Sequence, residues 1–139
     1  MSEESVVRDL FDRWERVWHE GRYELVAECV AQVYTRHDES GTRRVTPEEY
    51  AVEVAAARRE WPNTRFVVYD HEIAGDRAWF RWTLMWTDPS TGETRTRAGM
   101  QLYRVEGGKL AETWLPPLGK LGSAWPDAAG QEHWTSKRA

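Results

Sequence analysis

The adjacent residues His37 and Asp38 carry side chains well suited to proton transfer. Desolvation in an apolar pocket disfavours a charged aspartate, so its pKa rises toward the range useful for removing a proton from carbon. Neighbouring residues of a strand point to opposite faces of a sheet, so only one of the two can enter a pocket. The residues alone leave open which of the two acts as a catalytic base. The alternative role for Asp38 is that of a strand-end residue that hydrogen-bonds the turn at residues 39–41.

A second group of candidates is aromatic and can form the walls of a ligand pocket. The chain contains nine tryptophans, and five of them lie between positions 61 and 114. Aromatic walls supply contact area with little loss of rotamer freedom, which favours a site for flat, apolar molecules. The predicted substrate-binding residues of this kind are Trp18, Tyr34, Tyr50, Trp82, Tyr103 and Trp114.

Arg81 is a further candidate because it lies between Trp79 and Trp82 on a predicted strand. Its guanidinium can stack on an indole or clamp a ligand carboxylate, and we include it among the substrate-binding residues. The alternative is that Arg81 pairs with a neighbouring acid such as Glu112.

Composition argues against several other kinds of site. The four histidines are scattered and lack acids at ligand spacing, and no glycine-rich phosphate loop is present, so we expect neither metal nor cofactor. A formal net charge of −4 without clustered Lys and Arg argues against nucleic acid as a partner. The single cysteine, Cys29, rules out an internal disulfide and is expected to be a buried, inert thiol.

The N-terminus lacks the apolar stretch of a secretion signal, and no run approaches the roughly twenty apolar residues of a membrane span. We therefore predict a cytoplasmic protein that has no membrane partner.

The pattern of apolar residues predicts the elements that must position these side chains. At 139 residues the chain fits one domain, which we place at residues 1–115. Helical spacing predicts helices at residues 3–19 and 22–30. The β-branched content of residues 32–38 predicts a first strand, after which residues 39–42 turn the chain.

A third helix has a strong start signal. Thr46 can cap it, Pro47 suits the first helical position, and Glu49 completes a capping box. Pro62 should end this helix just after Trp61.

Residues 61–114 predict three long strands of a curved antiparallel sheet, separated by turn signals rich in Gly, Asp and Pro. Alternation puts Phe80 and Trp82 on one face and Trp79 on the other, so neither face is fully polar. We expect helices to cover one face and a partner subunit to cover the other, in a homodimer packed sheet to sheet.

The last part of the chain, residues 116–139, is rich in Pro, Gly and Ala and has no regular period. We predict an irregular tail that docks on the domain or on the partner subunit through Trp125 and Trp134.

Three tracts carry a resemblance to a known family: YTRHDESG before the capped helix, GDRAWFRWT, and YRVEGGKLAETW. With them, residues 5–115 resemble the NTF2-like superfamily, in its SnoaL-like polyketide cyclase and ketosteroid isomerase-like branch. The resemblance implies an α+β cone in which a curved, mixed or antiparallel sheet wraps around three N-terminal helices and encloses an apolar pocket. Members include isomerases, cyclases, dehydratases and epoxide hydrolases, and also proteins whose pocket catalyses no reaction.

The resemblance also implies roles for single residues. The tract HDE places Asp38 where ketosteroid isomerases hold their general base, while counting without a gap from the following helix places His37 there. Of these two, we favour Asp38. Trp14 falls where those enzymes carry an oxyanion-binding tyrosine, and Gln101 falls where they carry a protonated aspartate. An indole or amide N–H can still donate to a developing enolate, although more weakly than an acid.

The leading functional hypothesis is a cofactor-independent isomerase, cyclase or lyase that acts on an apolar polycyclic or aromatic carbonyl compound. Asp38 or His37 would remove a proton from carbon, and Trp14, Gln101 or Tyr34 would hold the oxygen. The first alternative is a non-catalytic dimeric protein that binds a ligand or a partner, and the second is an epoxide hydrolase-like enzyme.

Overall fold

The structure is a computed structural model that describes residues 2–126 and 129–136. Within these residues the chain forms three α-helices, one 3-10 turn and six strands. The helices are α1 (Glu3–Glu20), α2 (Val26–Cys29) and α3 (Pro47–Glu60), and the 3-10 turn is Tyr23–Leu25. The strands are β1 (Val30–Asp38), β2 (Gly41–Val45), β3 (Arg65–Ala74), β4 (Arg77–Thr87), β5 (Thr94–Glu106) and β6 (Lys109–Trp114).

The six strands form one curved sheet in the order β2-β1-β6-β5-β4-β3. Strands β1 and β6 run parallel, and every other neighbouring pair is antiparallel. The helices pack on the concave face, where the Phe11 ring of α1 lies 4.7 Å from the Phe80 ring of β4. The predicted α+β fold, a curved mixed sheet around three helices with an apolar pocket, is confirmed.

Both long helices begin and end where their sequence signals predict. The Ser2 side chain caps α1 by accepting from the backbone N–H of Ser5, and Gly21 ends the helix in the left-handed conformation. Thr46 and Glu49 form the predicted capping box of α3, with Pro47 at its first turn. These local signals decide the ends because each satisfies backbone groups that the helix leaves unpaired.

The region between α1 and α3 differs from the prediction. The second helix is shorter than residues 22–30, because the 3-10 turn precedes α2 and β1 begins at Val30. The predicted turn is followed at once by β2, which pairs with β1 so that Arg43 lies opposite Arg36. Pairing with β1, which itself pairs with β6, gives the backbone of this short edge strand a partner that the sequence pattern alone does not reveal.

The tail beyond β6 packs on the domain. The backbone N–H groups of Gly119 and Gly122 donate to carbonyls of β5, and the Trp125 indole donates to the carbonyl of Trp82 at 3.1 Å. Trp125 and Tyr69 cover Thr83 on the convex face, the face turned away from the helices, and Thr83 is buried. The chain itself therefore covers part of the face assigned to a partner subunit, and the homodimer stays a prediction. Among the described residues no helix has the length and apolar character needed to cross a membrane.

Candidate active site

A cavity of about 200 Å³ lies between the concave face of the sheet and the helices. Aromatic and aliphatic side chains dominate its surface, and they come from α1, α3, four of the strands and the tail. The lining residues are Trp18, Arg36, Tyr50, Trp61, Phe66, Val68, Phe80, Trp82, Leu84, Gln101, Tyr103, Leu115, Leu118 and Trp134. Four of the predicted wall residues are in this set, namely Trp18, Tyr50, Trp82 and Tyr103.

The period of the strands explains why these aromatics meet. Phe80, Trp82 and Leu84 alternate on β4 and all face the cavity, as the predicted two-face pattern requires. The Phe66 ring of β3 meets Trp82 edge to face at 4.9 Å and Trp18 of α1 at 5.2 Å. Flat rings held edge to face give the cavity rigid walls.

Gly99 makes room for the largest of these rings. It stands opposite Trp82 across β4 and β5, and a Cβ at this position would lie 2.5 Å from the Trp82 indole. Any side chain at position 99 would thus push the indole of Trp82 away from its present place.

Arg36 is the charged residue of the cavity, and it is only 6% exposed. Its Nη1 donates to the Tyr34 hydroxyl at 3.1 Å, and its guanidinium carbon lies 4.7 Å from the Tyr50 ring centroid. Its Nε has no hydrogen-bond partner among the described residues and lies 4.0 Å from a carboxylate oxygen of Asp38. A buried charged donor without a partner is costly. The Nε atom itself exposes less than 1 Å², so a ligand oxygen would meet the guanidinium through its Nη groups, and only a side-chain movement would bring Nε to it.

Gln101 is the second polar residue of the lining. Its Nε2 donates to Thr113 Oγ1 at 2.9 Å, and Thr113 stands opposite Arg36 across β1 and β6. The two polar groups therefore lie on either side of one buried threonine. An amide has a second N–H and a carbonyl oxygen, so Gln101 can contact a ligand while it keeps this bond.

Asp38 shares the concave face with Arg36, as we favoured, but it is not part of the cavity lining. Both the backbone N–H and the hydroxyl of Ser40 donate to its Oδ1, and Arg43 lies 3.8 Å from its Oδ2. Burial raises the pKa of Asp38, but the Ser40 bonds and the charges of Arg36 and Arg43 outweigh it and hold the pKa below its ordinary value. The expected rise in pKa is wrong, and the alternative role as a turn-bonding residue is observed.

His37 faces the convex side, together with Trp114. Its ring stacks on the Trp114 indole at 5.4 Å, and its nitrogens lie 2.6 Å from Glu112 Oε2 and 2.8 Å from Thr42 Oγ1. Trp114 stands directly opposite His37 across β1 and β6, so both side chains leave the same face of the sheet. Neither residue is therefore placed to line the cavity, although both were predicted as site residues.

Three other predicted site residues also lie outside the lining. Trp14 and Tyr34 are fully buried behind it, where Trp14 stacks on Tyr50 at 5.9 Å and Tyr34 meets Tyr50 edge to face at 5.3 Å. Arg81 projects from the convex face, where its guanidinium lies 5.0 Å from the Trp125 ring. Glu112, considered as its partner, pairs instead with His37 and Arg104.

The sequence reasoning missed Arg36, although a signal for it was present. Tyr34, Arg36 and Asp38 alternate on β1, so any assignment of Asp38 to the concave face assigns Arg36 there too. Arg36 lies between Tyr34 and Asp38 in this alternation, but only Tyr34, His37 and Asp38 of this strand were considered as residues of the site.

No group of three or more His, Cys, Asp or Glu side chains that could hold a metal ion occurs in the described part of the chain. Cys29 is buried, and burial raises the pKa of its thiol to about 11. The predicted burial of Cys29 is confirmed, and the raised pKa disfavours the reactive thiolate form.

Comparison with known proteins gives one family and several solved structures. A family model described as a SnoaL-like domain matches residues 7–113. A candidate polyketide cyclase from Acidithiobacillus ferrooxidans is 26% identical with a TM-score of 0.73, and the match covers 83% of this chain and 89% of that one. No curated protein matches the chain.

Two further structures show the same fold at lower identity. A SnoaL-like polyketide cyclase from Agrobacterium tumefaciens is 16% identical with a TM-score of 0.70, over 82% of this chain and 91% of that one. IdmH, a candidate polyketide cyclase from Streptomyces antibioticus, is 17% identical with a TM-score of 0.67, over 83% of this chain and 91% of that one.

Proposed function

The chain belongs to the SnoaL-like domain family, and on this premise we propose that it is a small-molecule enzyme of the cyclase or isomerase type. Its substrate would be a flat, apolar carbonyl compound. The observation that carries the proposal is the aromatic cavity whose described lining includes one charged group, the buried guanidinium of Arg36. Such a cavity binds the apolar part of a ligand and directs an oxygen to the charge.

The chemistry that this geometry supports is proton transfer next to a carbonyl. A base takes the proton from carbon, the carbon–carbon double bond of the enolate forms, and the negative charge moves to the carbonyl oxygen. Arg36 and the Gln101 amide would donate to that oxygen as its charge develops. Return of the proton at another carbon completes an isomerisation, and attack of the enolate carbon on a second carbonyl completes a cyclisation.

Asp38 is the candidate base because its carboxylate is on the concave face beside Arg36 Nε. Its low pKa makes it a weak base, so most of the rate must come from stabilisation of the enolate rather than from the strength of the base. Arg36 therefore carries the larger share of the proposed catalysis.

The test is solvent hydrogen exchange at carbon, followed by NMR with 1-tetralone in deuterated water. We expect protein-dependent loss of the proton signal next to the carbonyl, and a much smaller rate in Arg36→Met. Asp38→Asn should also slow exchange if Asp38 is the base, whereas it should have no effect if Asp38 takes no part in the reaction. If several flat ketones bind but none exchanges, the enzyme proposal fails.

That second outcome would identify a ligand-binding protein without chemistry. One observation favours this competing function: the described lining residues include neither a carboxylate nor an imidazole. The Asp38 carboxylate is moreover already engaged by Ser40 and Arg43. Binding without exchange would then follow from the absence of a free base at the ligand.

A further inference from the structure

A short part of the tail, residues 131–136, lies across the cavity between α1 and β3, and we call it the C-terminal strap. Its Trp134 lines the cavity and is 7% exposed. The indole lies 6.0 Å from the Phe66 ring, 6.4 Å from the Phe80 ring and 5.3 Å from the His19 ring. Trp134 thus forms a wall of the cavity that the tail contributes, between α1 and β3.

The strap contains neither helix nor strand, and separate hydrogen bonds hold it to α1 and β3. Besides Trp134, its side chains contribute three of them: Gln131 contacts His71, His133 contacts Glu15, and the Thr135 hydroxyl donates to Asp12. At Trp134 the backbone N–H donates to Glu15 Oε1 at 2.9 Å, and the indole N–H donates to the carbonyl of Phe66 at 2.9 Å. Toward its two ends, Gln131 N–H donates to the carbonyl of Val68, and the carbonyl of Thr135 accepts from Arg8. A segment held in this way opens at a smaller cost than a strand of the sheet.

The size of the cavity makes such an opening relevant. Its volume of about 200 Å³ lies below the range of roughly 300–1,000 Å³ that is usual for ligand pockets. The other aromatic walls come from helices, from strands of the sheet or from the end of α3, and repacking them would disturb the core. Trp134 lies outside helices and strands, as the aliphatic wall residues Leu115 and Leu118 also do, so it can move without breaking regular secondary structure.

Trp134 lies outside the domain that members of the family have in common. The family match ends at residue 113, so the strap lies outside the part of the chain that defines the family. We infer that Trp134 is the specificity-determining residue of the cavity: the strap opens to admit a ligand, and the indole then sets the number of fused rings that fit. This inference rests on the cavity being the ligand site of the proposed function.

The test measures dissociation constants calorimetrically for three ketones of increasing size: 1-tetralone, anthrone and a four-ring steroid ketone. Removing the indole in Trp134→Ala should weaken binding of the two-ring compound and strengthen binding of the four-ring compound. We expect the ratio of the two dissociation constants to shift by at least about tenfold. The matched control is Trp125→Ala, which removes an indole of the same tail on the convex face.

A ratio that stays constant in Trp134→Ala, or that shifts as much in Trp125→Ala, overturns the inference. Trp134→Leu keeps an apolar side chain and serves as a second variant in case Trp134→Ala does not fold. It should shift the ratio of dissociation constants in the same direction, but by less. Stopped-flow association with Glu15→Ala, which removes the acceptor of the Trp134 backbone bond, should be faster than wild type. An unchanged or slower association would contradict an opening strap.

These outcomes are distinguishable from failure of the proposed function. Suppose that the ratio of dissociation constants shifts in Trp134→Ala but no ketone exchanges hydrogen. This result would support the specificity role of Trp134 and reject the proposed enzyme activity. Exchange of 1-tetralone with an unchanged ratio in Trp134→Ala would keep the enzyme and reject the specificity role.

Discussion

Arg36 and His37 are neighbours on β1, yet they have opposite surroundings. On the convex side, the His37 ring contacts Glu112 and Thr42, and Glu112 also accepts from Arg104 at 3.1 Å. On the concave side, Arg36 is buried and its Nε has no hydrogen-bond partner among the described residues. The convex polar groups therefore satisfy one another, whereas the concave guanidinium lines a cavity in which a ligand can contact it.

The comparison also shows why strongly interacting groups are not always functional. The convex cluster contains a histidine, a carboxylate and a tryptophan, which are the residue types that drew attention in the sequence. Its members are partly exposed, with 30% of the His37 side chain and 21% of the Glu112 side chain accessible to solvent. Water screens such pairs, so the proximity of these groups has small energetic consequences.

The largest effect is expected on the concave side from Arg36→Met. Loss of the guanidinium should slow hydrogen exchange in 1-tetralone by about a hundredfold, because the developing enolate loses its main donor. Stability should fall, since the variant removes the donor to the buried Tyr34 hydroxyl and the cation–π contact with Tyr50. Exchange by NMR and thermal unfolding measure the two properties.

The matched convex variant is Arg77→Met, which removes a guanidinium lying 5.1 Å from the Trp114 ring. It should exchange 1-tetralone at the wild-type rate. Equal losses in both variants would mean that the buried position of Arg36 has no special role.

The next effect concerns acid stability and comes from His19 at the strap. Burial lowers the pKa of His19 to about 4, with smaller contributions from the charges of Arg65, Arg58 and His133. Below pH 6.5 the unfolded chain binds a proton at this position while the folded chain does not, so stability falls as the pH falls toward 4. We expect a loss of about 2 kcal/mol by about pH 5 from this residue.

Urea unfolding at a series of pH values measures this loss. His19→Gln, whose amide oxygen can still accept from Phe66 N–H, should remove that part of the pH dependence. His37→Gln on the convex face should retain it. A wild-type slope in His19→Gln would assign the acid sensitivity to other groups.

A smaller effect is expected from Gln101→Leu on β5. Loss of one hydrogen bond to the ligand oxygen should weaken 1-tetralone binding about fivefold. Met100→Leu is the adjacent control, because that side chain is on the convex face and 42% exposed. Calorimetry measures both, and equal affinity in Gln101→Leu and wild type would remove Gln101 from the site.

The smallest effect is expected within the convex cluster. Glu112→Gln breaks the ion pair with Arg104 and weakens the contact with His37, yet it should cost less than about 1 kcal/mol. Exchange of 1-tetralone should not change. If the free energy of unfolding in urea fell by several kcal/mol, the convex cluster would be coupled to the core, and the two faces would not differ as described.

Local signals in the sequence account for much of the fold. The capping box at Thr46 and the glycine after α1 decide helix ends from a few adjacent residues, and the alternation on β4 decides which side chains meet the helices. The site required non-local information. Trp114 faces the convex side because it pairs with His37 across two strands far apart in sequence, and no local pattern contains that register.

The lowered pKa of Asp38 could not be predicted from the sequence for the same reason. Its lowered pKa depends partly on Arg43, which belongs to β2, a strand that the sequence pattern did not reveal. The apolar environment expected for Asp38 follows from the family resemblance, whereas the actual environment follows from its neighbours in the sheet.

The close approach of Gly99 to Trp82 separates the shape of the cavity from its chemistry. Position 99 carries no functional group, yet any side chain there would displace the indole that forms one wall. Mutation at this position can therefore alter which molecules fit while Arg36 and Gln101 remain untouched. Lineages that carry different residues here can diverge in ligand size without first losing a reaction, and the same position offers an engineering handle.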